Sequence, residues 1–127
     1  MIRLILSAAT LAICFGVASG PVSAASCCVG LRMHFAPLGN ADFDRLNAAA
    51  TTVVNSRSVG KLAVWSNPVS GDSGTVQFIL RYASQRRECR KLWFINKILE
   101  KPEEHWEINA CLVEGTWALS QPPKSLR

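Results

Sequence analysis

The side chains of this 127-residue chain best able to do chemistry are five cysteines, two histidines and a run of arginines. Nucleophilic catalysis needs a cysteine or serine beside a base. The two histidines, His34 and His105, lie far apart, and His105 opens a β-rich run, where a strand-edge residue is the ordinary reading. Paired carboxylates occur at Glu103-Glu104, in a Lys-Pro-Glu-Glu turn that reads as a solvated charge cluster. Asp72 lies in Ser70-Gly71-Asp72-Ser73-Gly74. One carboxylate among hydroxyls is too few for tight calcium binding, so a turn role is expected. Cys27 and Cys28 would need His34 to make a metal site, which is a thin ligand set. No catalytic residue, metal or cofactor is therefore expected.

The elements that position these residues fall into two groups. Asp42 is placed to cap a helix over about 43–55, where Phe43, Leu46, Ala50, Val53 and Val54 recur at helical spacing. After Gly60 come five short runs rich in β-branched and aromatic residues: Lys61 to Ser66, Gly74 to Tyr82, Glu88 to Ile95, His105 to Val113 and Thr116 to Leu119. In the second, Val76, Phe78, Leu80 and Tyr82 alternate with polar residues, the period of a strand wet on one face. Asn67 to Gly74 is turn chemistry throughout, with Pro68 fixing one dihedral and the glycines permitting positive φ. The expected fold is α+β: an antiparallel meander of about five strands with one N-terminal helix packed on one face. The domain is expected to span 41–121, with an extended leader at 25–40 and a flexible tail at 122–127.

A hairpin of the third and fourth strands turning at Glu100 places Cys89 across from Cys111. The same register sets Phe94 against Trp106 and Leu92 against Ile108. Directly opposed residues have Cβ atoms about 4.5–5.5 Å apart, close to the reach of a disulfide. A Cys89–Cys111 bond is predicted, and closing its loop should stabilise the domain by about 3 kcal/mol.

The amino end reads as a secretory signal, residues 1–24. Arg3 is its only charge, an apolar run follows from Leu4 to Ala18, and Gly20-Pro21 precedes the small residues Val22-Ser23-Ala24-Ala25-Ser26. The run is shorter than the roughly 20 residues of a membrane-spanning helix. Cleavage near Ala24 gives a soluble mature chain, whereas cleavage before Cys27 gives a lipoprotein with a diacylated Cys27. Cys27 and Cys28 have three readings: lipidation at Cys27, bonds to other chains, or free thiols.

The formal net charge is +5. Losing the leader removes only Arg3, and mild basicity in an exported protein favours anionic lipid or acidic polysaccharide over nucleic acid. Arg86, Arg87 and Arg90, with Arg81 nearby, are the candidate anionic-surface contacts. The alternative is a solvated strand edge whose cations discourage aggregation. Trp65, Trp106 and Trp117 are expected in the core, with Trp93, on the cysteine face, as a candidate for stacking on a glycan.

The stretch Trp65-Ser66-Asn67-Pro68-Val69-Ser70-Gly71-Asp72-Ser73-Gly74-Thr75-Val76, then Arg87-Glu88-Cys89-Arg90, Ala110-Cys111 and Gly115-Thr116-Trp117, resembles the bacterial 17 kDa surface antigen family. The resemblance covers about 60–119. It implies a non-catalytic envelope protein of the outer membrane or cell surface, often lipid-anchored. The glycine-rich segment that such lipoproteins carry ahead of the domain is missing here. The expected function is a structural or surface-contact role at the outer membrane. The alternative is a soluble periplasmic binding or inhibitor module that presents the 67–74 loop to an unidentified protein partner.

Overall fold

The computed structural model describes residues 27–126, so the expected signal sequence lies outside the described residues. Two helices precede six strands: α1 (Leu31–His34), α2 (Asn40–Val54), β1 (Leu62–Asn67), β2 (Asp72–Ser84), β3 (Arg87–Lys97), β4 (Glu104–Val113), β5 (Thr116–Leu119) and β6 (Lys124–Ser125). The strands form one antiparallel sheet in the order β1-β2-β3-β4-β5, with β6 also paired to β4. This is the meander read from the sequence, curved into a half-barrel around α2. The sixth strand lies in the stretch expected to be a flexible tail.

The hydrophobic pattern drives this arrangement. On α2, Phe43, Leu46, Ala50, Val53 and Val54 are buried. They meet Val76, Phe78, Leu92, Phe94 and Ile108 from the inner face of the sheet. Burying each large apolar side chain contributes about 1.5–3 kcal/mol before the entropy of ordering it is counted. The helix begins at Asn40, with Gly39 at its N-cap, so Asp42 lies in the first turn and makes no cap.

Residues 27–39 are folded, a departure from the extended leader read in the sequence. Leu31 is fully buried and Phe35 nearly so. The Val29 N–H donates to the Trp117 carbonyl and its carbonyl accepts from the Leu119 N–H, so this segment covers the outer edge of β5. The apolar residues here have no period, because Leu31 and Phe35 are buried against separate neighbours while Val29 and Met33 stay exposed, and no regular face results. That is why no element was legible.

The β3–β4 register pairs Cys89 with Cys111, Leu92 with Ile108 and Phe94 with Trp106, as expected. Between β2 and β3 the register shifts at Phe78/Leu80. This bulge turns Arg81 to the inner face opposite Arg90, while Tyr82 faces Cys89 on the outer one.

Candidate functional site

Three places on the domain gather the side chains singled out above. The first is the disulfide. Cys89 and Cys111 are bonded, with Cα atoms 4.0 Å apart, and both are buried on the outer face of the sheet. Nearby, the Tyr82 hydroxyl donates to Asn109 Oδ1 at 2.7 Å, tying β2 to β4 across β3. Cys27 and Cys28 are bonded to each other, and both are buried. The Cys27 N–H donates to Asn47 Oδ1 on α2. A diacylglyceryl thioether would need the Cys27 sulfur, so lipidation there and this packing exclude each other.

The second place is the arm formed by β2 and β3. Arg86 and Arg87 are exposed at its tip, where Gln85 and Arg86 take positive φ angles of 50° and 62° to close the turn. Arg81 is exposed, but its Nη2 donates to the Arg57 carbonyl at 2.8 Å. Arg90 departs from the expectation of a surface contact. It is 7% exposed, and its Nη1 donates to the carbonyls of Val54, at 2.6 Å, and Ser56. Its guanidinium also lies over the rings of Phe78 and Trp117. The physical reason is parity: Arg90 shares the inner face with Leu92 and Phe94, where the carbonyls at the negative end of α2 need donors. Arg57 and Lys61, exposed beside the arm, were missed because they lie in a different stretch of sequence.

The third place is the β1–β2 loop. Asn67 Nδ2 donates to Asp42 Oδ1 at 2.7 Å, and the Ser70 hydroxyl donates to the same oxygen at 2.8 Å. The Gly71 N–H donates to the Asn67 carbonyl at 2.8 Å, and the Leu99 N–H donates to Asp72 Oδ1 at 2.8 Å. The loop is thereby fixed to both α2 and the β3–β4 turn, with Val69 at its tip 95% exposed. Burial would raise the Asp42 pKa. The interaction with Asp72, the hydrogen bonds donated by Asn67 and Ser70 and the charge of Arg45 outweigh it and hold the carboxyl below its ordinary value. The lock was illegible because an Asp before an apolar run looks like a cap, and its partners lie 25 and 28 residues away.

No family model matches the chain, and neither curated proteins nor solved structures give a match.

The remaining candidates are dispersed. His105 Nε2 lies 2.7 Å from Glu103 Oε1 in an exposed pair. His34 packs edge-on against Trp106 with ring centroids 4.4 Å apart. Burial lowers its pKa, and the charge of Glu104 partly offsets that effect. A cleft of about 140 Å³ lies between His34, Leu38, Ile98 and Trp106. Usual ligand pockets start at roughly 300 Å³. Trp93 is partly exposed between Gln77 and Glu107 on the outer face, whereas Trp65 is buried. Among the described residues, no group of three or more His, Cys, Asp or Glu side chains is placed to hold a metal ion.

Proposed function

We propose that this chain is a non-catalytic exported cell-envelope protein, of the kind its resemblance to the 17 kDa surface antigen family implies, with a structural or surface-contact role at the outer membrane. The observation that carries this reading is the Cys89–Cys111 bond across paired strands, because such bonds persist beyond the reducing cytoplasm. The signal-like amino end supports it independently. The burial of Cys27 favours an unlipidated mature chain over a lipid-anchored one.

The test is fractionation of native cells, followed by intact-mass measurement with alkylation before and after reduction. Recovery in periplasmic or outer-membrane fractions, with cysteines that alkylate only after reduction, is the expected result. Recovery in the cytosol with freely alkylated cysteines would overturn the reading. An acyl mass on a chain starting at Cys27 would overturn only the unlipidated form.

A second reading is a soluble binding or inhibitor module, favoured by the fixed 67–71 loop that presents Val69 to solvent. A loop already held in one conformation loses little entropy on binding. Crosslinking through position 69 that captures a stoichiometric envelope protein supports this reading. Repeated capture of nothing counts against it.

A further inference from the structure

We infer that the β2–β3 arm, with the 57–61 loop beside it, is a docking surface for an anionic phospholipid bilayer. The inference rests on the envelope reading and names the partner of that protein. Its basis is the segregation of charge. Arg57, Lys61, Arg86 and Arg87 are exposed along the arm and its neighbouring loop. Arg81 adds a fifth cation, held beside Arg57 by its bond to that residue's carbonyl. The Gly60 N–H donates to the Phe78 carbonyl, and the Phe78 N–H donates to the Lys61 carbonyl. These bonds fix the loop against the middle of β2, next to Arg81, with Arg86 and Arg87 further out along the same arm.

The acidic residues around this arm are few. Glu88 is engaged by Arg90 at 3.3 Å, and Glu114 lies in the β4–β5 turn. The opposite end is mixed, with Asp72, Glu100, Lys101, Glu103 and Glu104 on or beside its turns. A domain polarised in this way is turned by the field of an anionic surface, arm first.

The cations alone would suit a polysaccharide as well as a lipid surface. Exposed apolar residues on the loop and the arm favour the lipid surface. Val59, in the same loop, is 56% exposed, and Leu80 on the arm is also exposed. Headgroup regions accept cations and shallow apolar side chains together, whereas an acidic glycan offers little to Val59.

The experiment is cosedimentation of the purified, disulfide-bonded protein with vesicles of phosphatidylcholine alone or mixed with phosphatidylglycerol, at low and high salt. Binding only to the mixed vesicles, lost at high salt, is expected. Arg86→Glu with Arg87→Glu should weaken partitioning by at least about twentyfold. The milder Arg86→Asn with Arg87→Gln, which suits the positive φ at 86, should weaken it roughly tenfold or more. Lys97→Glu with Lys101→Glu, at the other end, should leave binding unchanged.

Wild-type protein that ignores phosphatidylglycerol overturns the inference, as does an arm variant that folds and binds like wild type. Capture on heparin without vesicle binding also overturns it, in favour of a polysaccharide. Because the assay uses purified protein, its failure leaves the fractionation result standing, and a cytosolic location would not alter the vesicle result.

Discussion

Arg90 Nη1 lies 2.6 Å from the carbonyl oxygen of Val54, so a strand in the middle of the sheet supplies the donor that ends α2. The guanidinium is buried between the rings of Phe78 and Trp117 and also reaches the Ser56 carbonyl. Its fork geometry serves more than one carbonyl at once, which a lysine ammonium on a flexible stem does less well. Arg90→Met should lose about 2–4 kcal/mol of stability in urea unfolding, because buried carbonyls are left without donors. Arg90→Lys should recover less than half of the loss, measured by the same transition.

The disulfide makes a separate contribution. Cys89 and Cys111 close a loop spanning 22 residues of sequence separation, and both are buried. The double substitution to alanine should cost about 3 kcal/mol, with the native sheet retained by circular dichroism. A loss of under about 1 kcal/mol would show that the reduced, unfolded chain is already constrained.

Gly74 is held for its lack of a side chain, not for a turn. It sits within β2 opposite Trp65 and Asn96, and an added Cβ would come within 2.4 Å of Trp65 Nε1 and 2.6 Å of the Ile95 carbonyl. Gly74→Ala should destabilise by about 1–3 kcal/mol through overpacking. Gly71 is the loop glycine that needs its conformation, with φ 79°. There even an alanine with open space would be strained.

These residues mark where the sequence was readable and where it was not. The β3–β4 register followed from period-two alternation, because a one-residue slip would move every apolar side chain to the wrong face. The helical face of α2 followed from its spacing. Arg90 is buried although its charge suggests solvent, because strand parity places it with Leu92 and Phe94. Residues 27–39 carry no local period, because Leu31 and Phe35 are buried by tertiary neighbours while Val29 is held through its backbone alone, its side chain exposed. The Asp42 lock joins residues far apart in sequence, so only the folded chain brings it together. For the site itself, Arg86 and Arg87 are legible as a pair of adjacent cations, while Lys61 is tied to the arm by the backbone of Phe78 and Arg57 by the side chain of Arg81.

His34 gives the domain a pH dependence near neutrality. Burial against Phe35 and Trp106 keeps its folded pKa below the ordinary histidine value, with Glu104 acting in the opposite direction. The neutral ring is therefore the form the folded state prefers. Stability from this source is fully present above the unfolded value of about 6.5 and declines as pH falls below it toward the folded pKa. His34→Phe should flatten the pH dependence of the unfolding midpoint just below about pH 6.5. An unchanged slope in that window would assign it to other groups.

Asp42 extends the same linkage to lower pH, with a consequence for the loop. Its folded pKa is held below the ordinary carboxylate value, so its contribution is fully present above about pH 4 and is lost as pH falls through the folded pKa. Asp42→Asn keeps the size of the side chain but removes the charge that accepts from Asn67 and Ser70. A loss of about 1.5–3 kcal/mol at neutral pH is expected, with a smaller difference from wild type in acid, since protonation removes the same charge from the wild-type chain. Because Val69 is carried on the residues that Asp42 fixes, hydrogen exchange at the Val69 and Gly71 amides should accelerate in this variant more than at amides of β3. Equal acceleration across the domain would mean that Asp42 supports global stability without holding the loop.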